Sequence, residues 1–358
     1  MLSIGKKSII GLDIGSNAIK AVELKPSGKK WQLHKYGIKS IPQEAIVNSQ
    51  IKDMEGVART IRELMAEAHF TSKQVAISVS GSAVIVKKIQ VGAMSLLDLE
   101  DQIPLEAEEY IPFDIEEVHL DFQVLGQHDE QMDVLLTACK KDLINQRLEA
   151  VETAGLQAKI CDLDLFCLAN SFELILRAPS DIENAMALVN IGASLTNITI
   201  LIGSDPIFTR DHLFGANLLT KEIQQRYELS YSEAELLQSR AATNQKDNKE
   251  NNPIPHDYQE EVVRPFFEQL GRQIGQSIDF YKANHPQKPV KAVLISGGGG
   301  LTPGLGDFLT EQLGIETRLA NPFDGIKLND SVKKDPILTA MGPRFMIAVG
   351  LALRGING

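Results

Sequence analysis

The chain contains 358 residues, and its 43% hydrophobic and 23% charged residues exclude a wholly disordered protein. Because a typical domain has about 150 residues, this length predicts two domains, each with its own core. The net charge of −11 gives the protein no general electrostatic reason to bind nucleic acid.

Cysteine, histidine and apolar patterns narrow the class further. The three cysteines have no CxxC spacing and the seven histidines are scattered, which argues against a disulfide framework and against a zinc site. The apolar stretch at 345–353 is far shorter than a membrane span, which needs about 20 residues. The N-terminus lacks the long apolar region of a signal peptide. We therefore expect a cytoplasmic protein.

Strands and helices alternate along the sequence. Apolar runs predict strands in the first half at 7–15, 18–24, 75–81, 83–91, 118–125 and 132–139. Helical spacing predicts a helix at 55–68, and Asp142 is expected to be the N-cap of a helix that ends at Gly155. Later strands are predicted at 187–192, 195–202 and 291–296, with a long helix from Val263 to Tyr281 before the last of them. This mixed order predicts an α/β protein.

The first informative turn lies between two strands at 9–24, in the sequence IIGLDIGSNAIKAVEL. Gly15 removes a side chain where the backbone approaches another group closely, and Ser16 and Asn17 add polar groups. Asp13 ends an apolar strand, where a carboxylate is costly unless it meets a cation or hydrogen-bond donors. Together with Lys20, these groups can cradle a phosphate and hydrated Mg²⁺. The motif taken alone is better explained by an ordinary β-hairpin than by a phosphate site.

A second turn of the same kind lies at 187–201, in the sequence ALVNIGASLTNITIL. Aligning Asn190 with Asp13 also aligns Gly192 with Gly15. Two copies of one turn, each opening half of the chain, indicate an internal duplication with two facing phosphate-binding hairpins.

The third turn contains four consecutive glycines at 297–300, within VLISGGGGLTPGLGDFL. Glycines between a strand and a helix allow the backbone to approach a flat or phosphorylated ligand closely. A flexible linker is the alternative, and the flanking strand and helix argue against it. Neither GxxxxGK[ST] nor GxGxxG occurs, which excludes a P-loop and a dinucleotide-binding fingerprint.

Three such turns in this order resemble the actin, FtsA and heat-shock chaperone ATPase superfamily. Within it, the chain most resembles the PilM family of type IV pilus assembly proteins. The resemblance rests on GLDIGSNAIKAVEL at 11–24, EYIPFDIEEVHLDFQVLG at 109–126, LVNIGASLTNITIL at 188–201 and AVGLALRG at 348–355. It implies an actin-like ATPase fold, in which two duplicated α/β domains surround a nucleotide cleft and the first carries a small inserted subdomain of the FtsA/PilM type.

The resemblance also divides the chain. Domain I is expected at 1–186, with the small α/β subdomain inserted at about 82–158. Domain II is expected at 187–340, and its polar run at about 243–261, which has few apolar residues and two prolines, is expected to be a mobile loop. Residues 341–358 are expected to form a C-terminal helix that packs on the folded core.

The resemblance implies ATP and Mg²⁺ as cofactors. Asp13 is expected to hold Mg²⁺ through water. Contacts to the phosphates are implied for Gly15, Ser16, Asn17, Lys20, Gly192, Ala193 and Ser194. Contacts to the adenosine are implied for Gly297, Gly298, Gly299 and Leu301. A helix of this fold often carries AExxK at the ribose; here Glu235 matches the pattern, whereas Gln238 replaces the lysine.

Asn190 is a second departure, because hydrolysing relatives usually carry Asp there. An amide cannot supply the negative charge that helps to organise Mg²⁺ and water. We therefore expect nucleotide binding with weak or absent hydrolysis, and no catalytic residue is identified. An equally good explanation of Asn190 is a hydrogen bond to the neighbouring turn.

The segment 89–139 contains no Lys or Arg, and thirteen acidic residues lie between 98 and 133. Two explanations remain open, a solvated face and a docking surface for a basic partner segment. In the family, the inserted subdomain and the neighbouring domain form a groove for the short cytoplasmic N-terminal tail of the inner-membrane protein PilN. Tyr110, Pro112 and Phe113 are candidates for apolar pockets there, and a core position for the two aromatic residues is an equal alternative.

The function implied is an ATP-binding scaffold of the type IV pilus assembly platform, held at the inner face of the inner membrane by a PilN-like protein. Other platform and motor proteins and self-association are further contacts that the family allows, without direct membrane insertion. One alternative is an FtsA-like cell-division filament protein, although the separate amphipathic membrane helix usual in FtsA is not recognised after the apolar C-terminal segment. The other alternative is a small-molecule kinase or ATPase of the same fold. A kinase would need a catalytic Asp, and none is recognised in the sequence.

Overall fold

The computed structural model describes residues 9–28, 30–176, 183–203, 205–243, 254–328, 330–333 and 335–357. Its strands are β1 (Ile10–Ile14), β2 (Ala18–Ser27), β3 (Lys30–Ser40), β4 (Ile46–Val47), β5 (Gln50–Ile51), β6 (Gln74–Val79), β7 (Val84–Gly92), β8 (Val118–His128), β9 (Gln131–Lys140), β10 (Gln157–Leu163), β11 (Ala185–Ile191), β12 (Thr196–Ile202), β13 (Asp205–His212), β14 (Val290–Ser296) and β15 (Glu316–Leu319).

The helices of the described residues are α1 (Met54–Glu67), α2 (Leu96–Glu108), α3 (Lys141–Thr153), α4 (Asp164–Glu173), α5 (Asn217–Tyr227), α6 (Tyr231–Thr243), α7 (Arg264–Asn284), α8 (Gly297–Gly300), α9 (Leu305–Leu313), α10 (Asp330–Lys333), α11 (Pro336–Met341) and α12 (Met346–Asn357). Short 3₁₀ turns lie at Ile115–Glu117, Pro322–Gly325 and Gly342–Phe345, and a π-helical turn lies at Gln259–Val263.

The two large sheets have the same topology. The first has the order β10-β6-β1-β2-β3, in which β1 to β3 are antiparallel and β6 and β10 run parallel to β1. The second has the order β15-β14-β11-β12-β13 and repeats this pattern strand for strand. Asp13 pairs with Lys20 across the first hairpin, and Asn190 pairs with Asn197 across the second. The predicted internal duplication is therefore confirmed.

Amphipathic helices cover one face of each large sheet. α1 packs on the first sheet through Val57, Ile61 and Leu64, which share one helical face. Its start is fixed by Asp53, whose carboxylate accepts a hydrogen bond from the Gly56 amide at 2.9 Å. The long helix α7 covers the second sheet in the same way with a stripe of buried aromatic and aliphatic residues.

Two helices, α4 and α12, share one apolar core with strands of both large sheets. α12 is apolar on nearly all sides because it is buried on nearly all sides. Its backbone contacts are so close that only glycine fits: a Cβ on Gly350 would lie 1.9 Å from the Cys167 carbonyl oxygen, and a Cβ on Gly11 would lie 2.0 Å from the Ala348 oxygen. These contacts fix the two sheets relative to each other.

A separate antiparallel sheet of three strands, β7-β9-β8, is inserted in the first half of the chain. α2 covers it with Leu99, Ile103 and Ala107, which lie on one helical face. We call residues 84–140 the inserted unit. α3 follows it but packs beside α1 on the first large sheet. The expected domain boundaries stay predictions, and the packing of α3 favours an end of the inserted unit near Lys140 rather than near residue 158.

One local prediction is wrong. α3 begins at Lys141 after Lys140 at the N-cap, and no side chain caps its first turn. Asp142 lies inside that turn, where its charge still favours the positive end of the helix dipole. Gly155 follows the end of α3 with φ of +78°, in agreement with the predicted helix stop.

The expected mobile loop at 243–261 is only partly described. Its residues 244–253 lie outside the described residues, and the described part includes the start of the π-helical turn Gln259–Val263. Within the described ranges, no helix combines the length and the apolar character that a membrane span requires.

We expect Gly350→Ala to lower the free energy of unfolding by about 2–3 kcal/mol, because the added methyl group overlaps the Cys167 carbonyl and forces α4 and α12 apart. This expected loss of stability is opposite to the effect of helix propensity, which favours Ala over Gly. Gly92→Ala is the matched control, since a Cβ there meets no atom within 4 Å. Chemical denaturation followed by circular dichroism measures both variants. Equal stability would contradict the close packing of α12.

Candidate functional site

A cleft of about 610 Å³ opens between the two halves of the chain. Every site residue predicted from the sequence lines it: Asp13, Gly15, Ser16, Asn17, Lys20, Gly192, Ala193, Ser194, Glu235, Gly297, Gly298, Gly299 and Leu301. The fold therefore brings together residues that lie up to almost 300 positions apart in the sequence. Their individual roles stay predictions.

The first turn connects β1 and β2 at the floor of the cleft. The Gly15 amide donates to the Ala18 carbonyl at 3.3 Å, which closes the turn. The Lys20 ammonium donates to the Asp13 carboxylate at 3.0 Å, so the buried acid has the cation that its position requires. A Cβ on Gly15 would lie 2.9 Å from Lys20 Nζ and would push the ammonium away. Glycine thus leaves room for the Lys20 ammonium and the Ala18 carbonyl beside the turn.

The second turn connects β11 and β12 and also holds the start of α5. The Gly192 amide donates to the Leu195 carbonyl at 2.8 Å. The Gly192 and Ala193 carbonyls accept hydrogen bonds from the amides of Ala216 and Asn217 at 2.9 and 2.8 Å. The start of α5 is therefore bonded directly to the turn, and this contact fixes the position of the second hairpin.

The third turn is a helical turn built from four glycines, Gly297–Gly300. Gly297 has φ of +80°, and a Cβ on it would lie 2.4 Å from the Ile191 carbonyl oxygen. A Cβ on Gly299 would lie 2.3 Å from Ile191 Cγ2. These two glycines are required because the third turn packs directly on the end of β11. Packing against β11 explains both glycines without reference to a ligand.

Hydrogen bonds cross the cleft at the predicted ribose position. The Asn17 amide nitrogen donates to Glu235 Oε1 and to the Tyr231 hydroxyl oxygen, both at 3.1 Å. The Tyr231 hydroxyl also donates to Glu235 Oε1 at 3.0 Å, and its pKa is raised to about 12 by burial and by this carboxylate. Gln238 instead accepts from the Thr220 hydroxyl at 3.2 Å. The sequence analysis missed Tyr231.

Asn190 belongs to a buried hydrogen-bond chain. Its amide nitrogen donates to Asn197 Oδ1 at 3.1 Å, and its oxygen accepts from the Ser296 hydroxyl at 3.2 Å. Asn197 in turn donates to Asp211 at 2.8 Å, and Asp211 accepts from the Gly81 amide of the first half at 2.8 Å. The alternative explanation, in which Asn190 bonds its neighbours, therefore describes the structure, and the chain of bonds links the two halves.

Asp164 is a cleft residue that the sequence analysis missed. It is the first residue of α4 and lines the cleft together with Asp13. Burial, together with the Asp13 carboxylate, raises its pKa to about 6, against the opposing effect of hydrogen bonds from Ser78 and Ser80. The cleft thus contains a second carboxyl group that binds a proton more readily than an ordinary Asp.

Two arginines also line the cleft and were missed. Arg344 lies beside Gly298, and burial lowers its pKa while Glu235 raises it. Arg147 reaches the cleft from α3, and burial lowers its pKa as well. In the structure, Arg344 Nε and the Nε and Nη1 atoms of Arg147 are buried without a hydrogen-bond partner. Such donors suit an anionic or polar ligand.

The described part of the chain contains no cluster of three or more His, Cys, Asp or Glu residues suited to hold a metal ion directly. Asp13 is a single carboxylate paired with Lys20. This arrangement fits a cation bound mainly by water and ligand oxygens, as is usual for Mg²⁺.

Comparisons with known proteins give matches over nearly the whole chain. A family model described as type IV pilus assembly protein PilM matches residues 11–356. A solved structure of a PilM–PilN type IV pilus biogenesis complex matches with a TM-score of 0.84 and 28% identity, covering 98% of this chain and 99% of that chain.

Two further structures support the fold alone. The ethanolamine utilization protein EutJ from Carboxydothermus hydrogenoformans matches with a TM-score of 0.58 and 15% identity, covering 96% of this chain and 89% of that chain. MreB5 of Spiroplasma citri bound to AMPPNP matches with a TM-score of 0.54 and 11% identity, covering 98% and 97%. With the duplicated sheets, these matches confirm the predicted actin-like fold.

We expect the pH dependence of stability to change in Asp164→Asn. A carboxyl group whose pKa is raised on folding destabilises the folded state as it ionises, so the wild type should lose stability relative to the variant between about pH 4 and pH 7. The free energy of unfolding of the variant minus that of the wild type should rise by about 2–3 kcal/mol from pH 4 to pH 7. Denaturant titrations without nucleotide or metal measure it. A difference that stays constant with pH would contradict the raised pKa.

Proposed function

The chain belongs to the PilM family of type IV pilus assembly proteins, and we propose that it works as a nucleotide-binding scaffold that binds the cytoplasmic tail of a PilN-like membrane protein. The observation that carries this proposal is the match to the PilM–PilN complex, at 28% identity over nearly the whole of both chains. Neither the FtsA-like filament nor a small-molecule kinase is favoured by this match.

Nucleotide binding is supported by the cleft. Its residues come from three turns that the fold places around one space, and MreB5, which shares the fold, has been solved with AMPPNP. We take the ligand to be ATP with Mg²⁺. Asp13 would hold the ion through water, and the first two turns would contact the phosphates, while Gly298 and Arg344 would face the adenosine. The ion would neutralise phosphate charge.

Slow or absent hydrolysis is expected for a chemical reason. Asn190 is neutral, and both ends of its amide are already bonded, to Asn197 and to Ser296. It therefore does not supply the negative charge that would help to organise Mg²⁺ and an attacking water. Asp164 is the other carboxyl group at this end of the cleft, and its neighbour Asp13 disfavours its ionised form.

Closure of the cleft would follow from binding, because the ligand contacts both halves of the chain. Hydrogen bonds also join the two halves directly, from Asn17 to Glu235 and from the Gly81 amide to Asp211. A ribose placed at Glu235 would share or replace the first of these bonds. Nucleotide would then favour one relative position of the two halves over others.

The inserted unit offers a suitable surface for a basic, partly apolar tail. It carries the acidic segment without Lys or Arg, and Leu96, Leu97 and Leu105 of α2 are exposed beside those acids. Tyr110 and Phe113 are half-buried and pack on the core of the inserted sheet, with Lys140 Nζ 4.4 Å from the centre of the Phe113 ring. The aromatic pair thus contributes to the core, while the leucines and acids remain available to a partner.

The location of the protein in the cell would be set by the partner to which it binds. A PilN-like protein bound at the inserted unit would hold the chain at the inner face of the inner membrane, as a peripheral protein. Domain limits, contacts with other platform or motor proteins and self-association remain proposals of the family resemblance.

The proposal is tested by calorimetric titration with a synthetic peptide of the cytoplasmic N-terminus of a PilN-like protein, with and without Mg-ATP. We expect the peptide to bind and its affinity to change at least about fivefold with Mg-ATP, the size of a typical coupling between two sites. A scrambled peptide of equal charge is the control. Phosphate release, measured in parallel, should be negligible.

Absence of peptide binding would contradict the scaffold function. Equal peptide affinity with and without Mg-ATP would contradict the coupling alone. Rapid phosphate release would instead favour an enzymatic role for the cleft.

A further inference from the structure

Arg147 is a buried cation whose hydrogen-bonding capacity is mostly unused. The residue is 6% exposed and lies on α3. Its Nη2 donates to the Ser49 carbonyl at 3.2 Å, whereas its Nε and Nη1 have no hydrogen-bond partner in the structure. Buried donors without partners are costly and rare in folded proteins. Two of them on one guanidinium indicate a ligand with oxygen acceptors.

The position of Arg147 in the cleft indicates which part of the nucleotide it would contact. It lines the cleft with Ser49, Asp13 and Asp164, and the charges of Asp164 and Asp13 raise its pKa against the effect of burial. The other arginine with a buried donor that lacks a hydrogen-bond partner, Arg344, lies with Gly298 and Glu235 at the proposed adenosine end. Arg147 therefore belongs to the phosphate end of the cleft.

We propose that the Arg147 guanidinium donates a hydrogen bond to the terminal phosphate of a nucleoside triphosphate, so that the cleft distinguishes a triphosphate from a diphosphate. The guanidinium suits this role because it stays charged, and charge strengthens each hydrogen bond that it donates to a phosphate oxygen. This inference rests on the nucleotide binding proposed above and names the group of the nucleotide that is recognised.

The helix that carries Arg147 also connects the cleft with the inserted unit. α3 begins directly after β9, the middle strand of the inserted sheet. In the same turn of α3, Gln146 accepts a hydrogen bond from the Ile51 amide at 2.8 Å, so both residues hold the β4–β5 hairpin. A terminal phosphate bound by Arg147 would thus act on the helix that leads out of the inserted unit.

The test compares Mg-ATP and Mg-ADP titrations of the wild type and Arg147→Met. The wild type should prefer ATP. In Arg147→Met the ATP affinity should fall at least about tenfold, the effect of losing charge-assisted hydrogen bonds, while the ADP affinity changes by less than about twofold. Gln146→Ala is the matched control, because it removes the other α3 bond to the hairpin and should leave the preference unchanged.

An unchanged ATP preference in Arg147→Met would overturn the inference, and so would an equal loss of preference in Gln146→Ala, which would assign the effect to the hairpin. If Arg147→Met does not fold, Arg147→Lys decides: it keeps the charge but lacks the planar set of guanidinium donors, so its ATP affinity alone should fall. An unchanged preference in that variant would also overturn the inference. A wild type that binds neither nucleotide would refute the proposed nucleotide site itself.

Discussion

The contact between α4 and α12 is the constraint on which the rest of the structure depends. Gly350 lies against the carbonyl of Cys167, and Gly11 lies against the carbonyl of Ala348, so the helices and β1 meet backbone to backbone. This layer joins the cores of both large sheets. Because β1 and β11 end in the first and second turns, the distance set by this layer also sets the width of the cleft. Packing thus determines where a ligand can bind.

Charge balance inside the cleft follows from that geometry. Two carboxylates, Asp13 and Asp164, and two cations, Lys20 and Arg147, line the same end, yet only Asp13 and Lys20 form an ion pair at hydrogen-bond distance. The remaining groups keep an energetic cost that an anionic ligand with a hydrated cation would relieve. Asn190, by contrast, is neutral and bonds to Asn197 and Ser296. This arrangement is the basis of the proposal that the cleft binds a nucleotide and hydrolyses it slowly or not at all.

The first and second turns and the duplicated fold could be predicted because each turn is a local sequence pattern. Asp164 and Arg147 could not, since each lies in an ordinary helix far in sequence from the turns, and only the topology places them in the cleft. The helix α2 escaped the periodicity analysis because it is acidic, contains Pro104 and buries only one narrow stripe. The N-cap predicted at Asp142 is two residues too late, since the N-cap is Lys140 and an acidic residue is also favourable in the first turn.

Hydrogen–deuterium exchange with and without Mg-ATP tests the central claim most directly, because it reports on each turn separately. We expect amides of the first, second and third turns, at 13–20, 190–196 and 297–301, to gain protection together at saturating Mg-ATP. Protection confined to one turn, or to none, would contradict the conclusion that the three turns form one nucleotide site.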